Sequence, residues 1–329
     1  MQNNIMALIF LLTSVFILPI VAGESSKKVC VDFVLPLTLT TTDLIWGRPK
    51  FETTIDLTSL IFDFNRRDFM TTFDPIGGVQ NNTRDYRVAG TYCEPRSGPG
   101  STLLIATHGG SLDRSISGYD AQFSIHVPVL DNLVQHARSG SIHRPNREDP
   151  KYIPEKIVLV GHSLGSVATN ALIAIKPDIV DGVVLSGWGY NSGVPNAFGL
   201  VAATAQLKIA NTVSKRWKAY DSGYMTWVDI FAYINIWPIA VMEFFSIATL
   251  NFDSPGVKAP VLFINGEFDY IMCGGYCPGI VEPAAHSFFP TSVGYESYIQ
   301  PATGHILNTA PNATGTYQVI TNFLSKNGL

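Results

Sequence analysis

Lys156-Ile-Val-Leu-Val-Gly-His-Ser-Leu-Gly-Ser166, continuing as Val167-Ala-Thr-Asn-Ala-Leu-Ile-Ala-Ile175, is the stretch that decides the fold. Ile157 to Val160 are apolar and mostly β-branched, the signature of a buried strand. Gly161 to Gly165 spell Gly-x-Ser-x-Gly, and a small-residue helix follows that must stop before Pro177. Strand, sharp turn and helix form the setting in which this motif lifts a serine hydroxyl above a sheet. Ser163 is therefore the candidate nucleophile. Gly161 and Gly165 flank it because a Cβ at either position would collide with the strand or helix alongside. Ala168, Ala171 and Ala174 allow the helix to lie close to the sheet.

Working outward, two later strands end in chemically useful residues. Pro260-Val-Leu-Phe-Ile-Asn-Gly-Glu-Phe-Asp269 reads as strand then turn, with Asp269 past the strand end. Ser297-Tyr-Ile-Gln300 is a short strand followed by Pro301-Ala-Thr-Gly-His305. Ser163, Asp269 and His305 stand in the chain order of an α/β-hydrolase triad. Serine needs a base to be nucleophilic at neutral pH, and an imidazole held by a carboxylate supplies one. Glu267 is the rival acid and His286 a rival base. His108 is expected to shape its own loop, His162 to lie beneath the site, and His126, His136 and His143 to be solvated. Upstream, Ser101-Thr-Leu-Leu-Ile-Ala-Thr107 is a buried strand ending in His108-Gly109-Gly110-Ser111. Glycines there leave backbone N–H groups open to a developing negative charge. The expected oxyanion donors are Leu164 and the region of Gly110 and Ser111.

The motifs Gly161-His-Ser-Leu-Gly165, Gly266-Glu-Phe-Asp-Tyr-Ile-Met-Cys-Gly-Gly-Tyr-Cys277 and Thr303-Gly-His-Ile-Leu-Asn308 resemble those of secreted α/β-hydrolase fold proteins of filamentous fungi. The resemblance covers most of the chain after the N-terminal segment and is strongest in the C-terminal half. It implies a Ser-Asp-His serine hydrolase and carries Ser163, Asp269 and His305 into those roles. Such a fold has a mostly parallel central sheet, helices on both faces and a helical cap insertion. The chain departs from the pattern over residues 111–156, which are too few for the helix, strand and second helix normally found there. One helix–strand unit is expected to be compressed or missing. A catalytically weak or inactive binding protein of the same fold is accordingly the alternative function.

Bulk properties narrow the class. The chain has 329 residues, 46% hydrophobic and 15% charged, with net charge −4. That supports one large core, and no basic stripe suggests nucleic acid as a partner. Residues 1–23 read as a secretory signal peptide, with an apolar run too short for a membrane span and small residues at Val21-Ala-Gly23. The expected divisions are a signal peptide over 1–23, hydrolase core over 24–189, a helical, aromatic cap over 190–256 and the rest of the core over 257–329. The cap aromatics are candidates to line an acyl pocket.

Cys30, Cys93, Cys273 and Cys277 permit three pairings. Cys30–Cys93, joining two strand-like segments, and Cys273–Cys277, closing a short glycine loop, are favoured. The resemblance also supports the second pair. Asn81 and Asn312 head glycosylation sequons. Localisation is expected to be extracellular, and the partner a small-molecule or lipid-like ester, without stable membrane insertion once the signal is cleaved. No cofactor and no metal is expected.

Along the N-terminal part, residues 29–41 read as a strand with a break at Pro36, and residues 87–93 as another. Asp74 to Gly78 and Asn81-Asn82 read as turns. Residues 119–138 read as one helix that Pro128 starts or kinks.

Overall fold

The computed structural model describes residues 7–11, 28–50, 52, 56, 74–109, 119–142, 144, 151–190 and 240–329. Eight strands form one sheet: β1 (Ala7–Leu11), β2 (Lys28–Trp46), β3 (Ile76–Pro95), β4 (Thr102–Thr107), β5 (Lys156–His162), β6 (Gly182–Ser186), β7 (Val261–Gly266) and β8 (Glu296–Gln300). Their spatial order is β2-β3-β1-β4-β5-β6-β7-β8. Strands β4 to β8 are parallel, and β2 and β3 form a long antiparallel pair at one edge. The described helices are α1 (Phe123–Arg138), α2 (Leu164–Ile175), α3 (Val241–Ile247), α4 (Tyr270–Cys273), α5 (Val281–Phe288) and α6 (Ala313–Lys326). This is the α/β-hydrolase fold.

The parallel strands are short aliphatic runs because helices cover them on both faces. Leu103, Ile105, Ile157, Leu159, Val183, Leu185, Val261 and Phe263 point to the α1–α2 side, and all are buried. Leu104, Val158, Val184, Leu262 and Ile264 point the other way, onto Phe323 and Leu324 of α6. The period of two along each strand feeds both layers at once. Val319 and Ile320 of α6 are partly buried against the second layer.

At the edge, β2 alternates cleanly: Leu37, Leu39, Thr41 and Asp43 are buried while Thr38, Thr40 and Thr42 are exposed. The exposed threonines bond across to β3, from Thr38 to Asp85, between Thr40 and Thr83, and from Thr42 to Asn81. These cross-strand pairs explain two departures from the sequence reading. Asn81-Asn82 is not a turn but mid-strand, and β3 begins at Ile76, inside the segment expected to turn. Nor does Pro36 break β2; an edge strand tolerates a residue without an N–H. Residues 51–64, which also read as strand-like, lie largely outside the described residues.

The helix expected over residues 119–138 is α1, which starts later, at Phe123, and runs to Arg138 with Pro128 inside its second turn. Its start is fastened three ways. Gln122 bonds both backbone groups of Leu44, Ser124 donates to Asp43, and the Phe123 N–H donates to Ser246 of α3. Of the expected cap over 190–256, residues 191–239 lie outside the described residues. In the returning segment, Phe245 of α3 meets the Trp46 ring at 5.9 Å, so this aromatic packs α3 against β2.

Among the described residues between β4 and β5 there is one helix, α1, and no strand. The place beside β4 is taken instead by β1. Leu8 to Phe10 pair antiparallel with Thr91 to Cys93, and Ala7 to Leu11 pair parallel with Leu103 to Thr107. Five residues from the segment read as a leader thus bridge the two halves of the sheet. The rest of that segment lies outside the described residues. Beside β1, Cys30 and Cys93 form a disulfide. Next to Cys93, Tyr92 donates to Glu94, whose carboxylate also takes two bonds from Arg144. Burial first, and then the bond to Glu94, holds the Tyr92 phenol protonated far above its ordinary range.

A chain lacking residues 1–23 loses a strand hydrogen-bonded on both sides. Its melting temperature is expected to fall by at least about 5 °C relative to the full chain, both produced without export. Scanning calorimetry of the two proteins reads this directly, and equal values would make β1 dispensable.

Candidate active site

Ser163 sits where β5 ends and α2 begins, with φ 52° and ψ −119°. This left-handed backbone is costly for a residue with a Cβ, and it persists only where the surroundings impose it. They do so by close packing. A Cβ on Gly161 would lie 2.6 Å from the Ser166 backbone, and one on Gly165 would lie 2.4 Å from the Thr107 carbonyl oxygen. The turn is also tied to β6. Ser163 N–H donates to the Ser186 carbonyl at 2.9 Å, as does the Ser166 hydroxyl. The result is a half-exposed hydroxyl on a rigid support.

The three candidate residues meet. His305 Nε2 is 2.9 Å from Ser163 Oγ, and His305 Nδ1 is 2.8 Å from Asp269 Oδ2. Asp269 is fully buried and His305 is 4% exposed. An ionised carboxylate only accepts, so Nδ1 carries the proton and donates to Asp269. Nε2 is left with its lone pair toward the serine O–H, the tautomer a general base needs.

Asp269 is held from behind. It caps α4, its other oxygen accepting from the Met272 N–H at 2.9 Å. Cys273 and Cys277, joined as a disulfide, close the loop beneath it, and the Cys277 N–H returns to the Glu267 carbonyl. Glu267, the rival acid, does a different job. Its carboxylate accepts the Ala302 N–H at 2.8 Å, and the Phe268 N–H donates to the Thr303 carbonyl. The acid loop and the histidine loop are therefore stitched to one another. His286, the rival base, packs edge-on against Tyr295 instead.

His162 lies 5.2 Å from the His305 ring, beneath the site as expected. Ser186 Oγ bonds both the Gly161 carbonyl and His162 Nδ1. A hydroxyl has one proton, which the carbonyl must take, so His162 Nδ1–H donates to Ser186. His108 contacts its neighbour's carbonyl at Gly109, shaping its own loop.

Of the oxyanion donors, Leu164 is the first residue of α2, where helix geometry leaves N–H groups free and the helix dipole favours negative charge. Gly110 and Ser111 lie outside the described residues, as does His143. Gly109 is placed so that a Cβ there would lie 2.9 Å from the Ser163 Cβ, which brings the strand-end loop against the nucleophile.

Two expectations fail. His126 is not solvated: it is half-buried, with Nε2 3.2 Å from Glu243 Oε1 of α3. These residues are 117 positions apart, and no local pattern in the sequence joins them. His136 is likewise half-buried and bonds the Asn132 carbonyl. Among the described residues no cluster of His, Cys, Asp or Glu is arranged to hold a metal.

No family model and no curated protein matches the sequence. Solved structures do resemble it in shape. One is a thermophilic esterase from Thermogutta terrifontis, 17% identical, with a TM-score of 0.49 over 70% of this chain and 91% of that one. Another is MenH from S. aureus, 15% identical, with a TM-score of 0.46 over 70% and 95%. A third is an α/β hydrolase enzyme from a Medee basin deep-sea metagenome library, 12% identical, with a TM-score of 0.43 over 89% and 94%.

Adding one methyl at the elbow tests the packing account. Gly165→Ala is expected to lower stability by about 1–3 kcal/mol through overpacking against β4. Urea unfolding reads the loss, and an unchanged midpoint would mean the turn relaxes freely.

Proposed function

We propose that this protein is a serine hydrolase that cleaves carboxylic esters through an acyl-enzyme, with Ser163 as nucleophile, His305 as general base and acid, and Asp269 as its orienting partner. The observation that carries this reading is the continuous chain of contacts from Asp269 through His305 to Ser163. Ser163 Oγ attacks the carbonyl carbon while its proton passes to His305 Nε2. The tetrahedral oxyanion forms beside the Leu164 N–H, with the loop at Gly110 and Ser111 as second donor. The C–O bond to the alcohol then breaks, and His305 returns the proton to the departing oxygen. Water attacks the acyl-enzyme in the same way, gives its proton to His305, and the acid leaves as Ser163 is reprotonated. Asp269 stays ionised and stabilises the imidazolium in both halves.

A fluorophosphonate probe tests the reading. The wild type is expected to be labelled, and Ser163→Ala to lose both labelling and about 10⁶ of kcat. Asp269→Asn is expected to lower kcat by about 10⁴ with the fold intact. A folded wild type that does not react would favour a binding protein on the same fold.

The reading extends to export, as in the secreted fungal proteins whose motifs these resemble. It is supported by the leader-like first 23 residues, the paired cysteines and the two sequons. Asn81 is exposed on β3 and Asn312 is exposed at the start of α6. No described helix is long and apolar enough to cross a membrane. Export with cleavage and strand β1 make opposite demands on residues 7–11. N-terminal sequencing of the protein from its host decides between them. A start near Gly23 or Glu24 is expected, and a chain beginning at Met1 would overturn cleavage.

A further inference from the structure

Beside the elbow lies a cavity of about 80 Å³. Gly109 and Leu164, which flank Ser163, form part of its wall. Phe123 and Leu130 of α1 and Ala168 of α2 make the interior apolar. His126 and Glu243 are the polar side chains from α1 and α3 that line it.

Their hydrogen bonding is incomplete in a specific way. Glu243 Oε2 accepts from the Ala240 N–H at 3.0 Å, which fixes the carboxylate. Oε1 stands 3.2 Å from His126 Nε2 as an ion-pair contact, yet among the described residues the buried Nε2 makes no hydrogen bond. A buried polar atom without a partner is costly and is normally satisfied by protein, water or ligand. A hydroxyl fits here, since it donates to the carboxylate oxygen and accepts from the imidazole N–H. An ammonium group only donates and would satisfy the carboxylate alone. The volume sets the length. A cavity of about 150 Å³ accepts benzene, so this one accepts roughly three or four non-hydrogen atoms.

We propose that this cavity receives the acyl group of the ester, and that His126 and Glu243 select a short acyl chain bearing a hydroxyl group. The proposal rests on Ser163 acting as the nucleophile, and it names the substrate class for that site. His126 and Glu243 touch the substrate's far end and take no part in bond cleavage.

The test compares kcat/KM for nitrophenyl esters of propionate, 3-hydroxypropionate, 3-aminopropionate and octanoate. Wild type is expected to favour the 3-hydroxypropionyl over the propionyl ester by about tenfold or more, as a hydrogen bond to a charged group allows. Octanoate is expected to be the poorest. Glu243→Gln keeps the shape but removes the charge, and the hydroxyl preference is expected to fall severalfold. His126→Asn reads the same ratio should Glu243→Gln fail to fold. A purely structural role would lower all four esters together and leave the ratio unchanged, which overturns the proposal. So does a wild type that prefers the amino or octanoyl ester while still reacting with the fluorophosphonate. A wild type that neither turns over any ester nor reacts with the probe removes the hydrolase reading and this proposal together.

Discussion

The approach of helix α2 to the ends of β4 and β5 is the constraint on which the catalytic edge depends. Hydrogens in place of side chains at positions 161 and 165 let backbone meet backbone across the turn. That contact, and not any property of the serine itself, holds Ser163 in a conformation it would otherwise leave. The same close approach sets the first N–H groups of α2 beside Ser163. In the proposed reaction, nucleophile and electrostatic support therefore arise from one piece of packing.

A second layer of organisation fixes where the base stands. The segment after β7 and the segment after β8 are separate in sequence, but they share hydrogen bonds through Glu267, Phe268, Ala302 and Thr303. The acid and the histidine consequently move as one body. Ala302 takes a positive φ of 52° within this junction, the second non-glycine residue after Ser163 to do so among the described residues. One of these positions is Ser163 itself and the other lies in the loop leading to His305, consistent with local strain being stored where geometry must be exact to within fractions of an ångström.

Much of this was legible in the sequence because the informative features are local. The strand before Ser163, the glycines around it and the strand-end placement of Asp269 and His305 each occupy fewer than about a dozen residues, within reach of pattern reading. The contest between Asp269 and Glu267 was settled by distance past the strand end. The turns expected at Asp74 to Gly78 and at Asn81-Asn82 fail because the turn propensity of Asn and Gly there yields to side-chain ladders with β2 that only pairing reveals. The shortage of residues between β4 and β5 was countable, but nothing in the apolar run at 7–11 announced that it would occupy the place. Burial of a lone histidine likewise has no sequence signature: the partner of His126, Glu243, lies in α3, 117 residues further along.

Strand β1 also has a consequence for the order of events during synthesis. It leaves the ribosome before the other described strands, yet its neighbours on either side, Cys93 and Leu103 to Thr107, emerge roughly ninety residues later. The sheet cannot close from one end in sequence order, and the pairing of β1 with β4 is the most widely separated along the polypeptide among the described strand pairs. Loop-closure entropy and high contact order both slow such a step. Until it is taken, the nascent chain presents two unsatisfied strand edges to whatever else is nearby, which makes the early intermediate the form of this protein most exposed to misassembly.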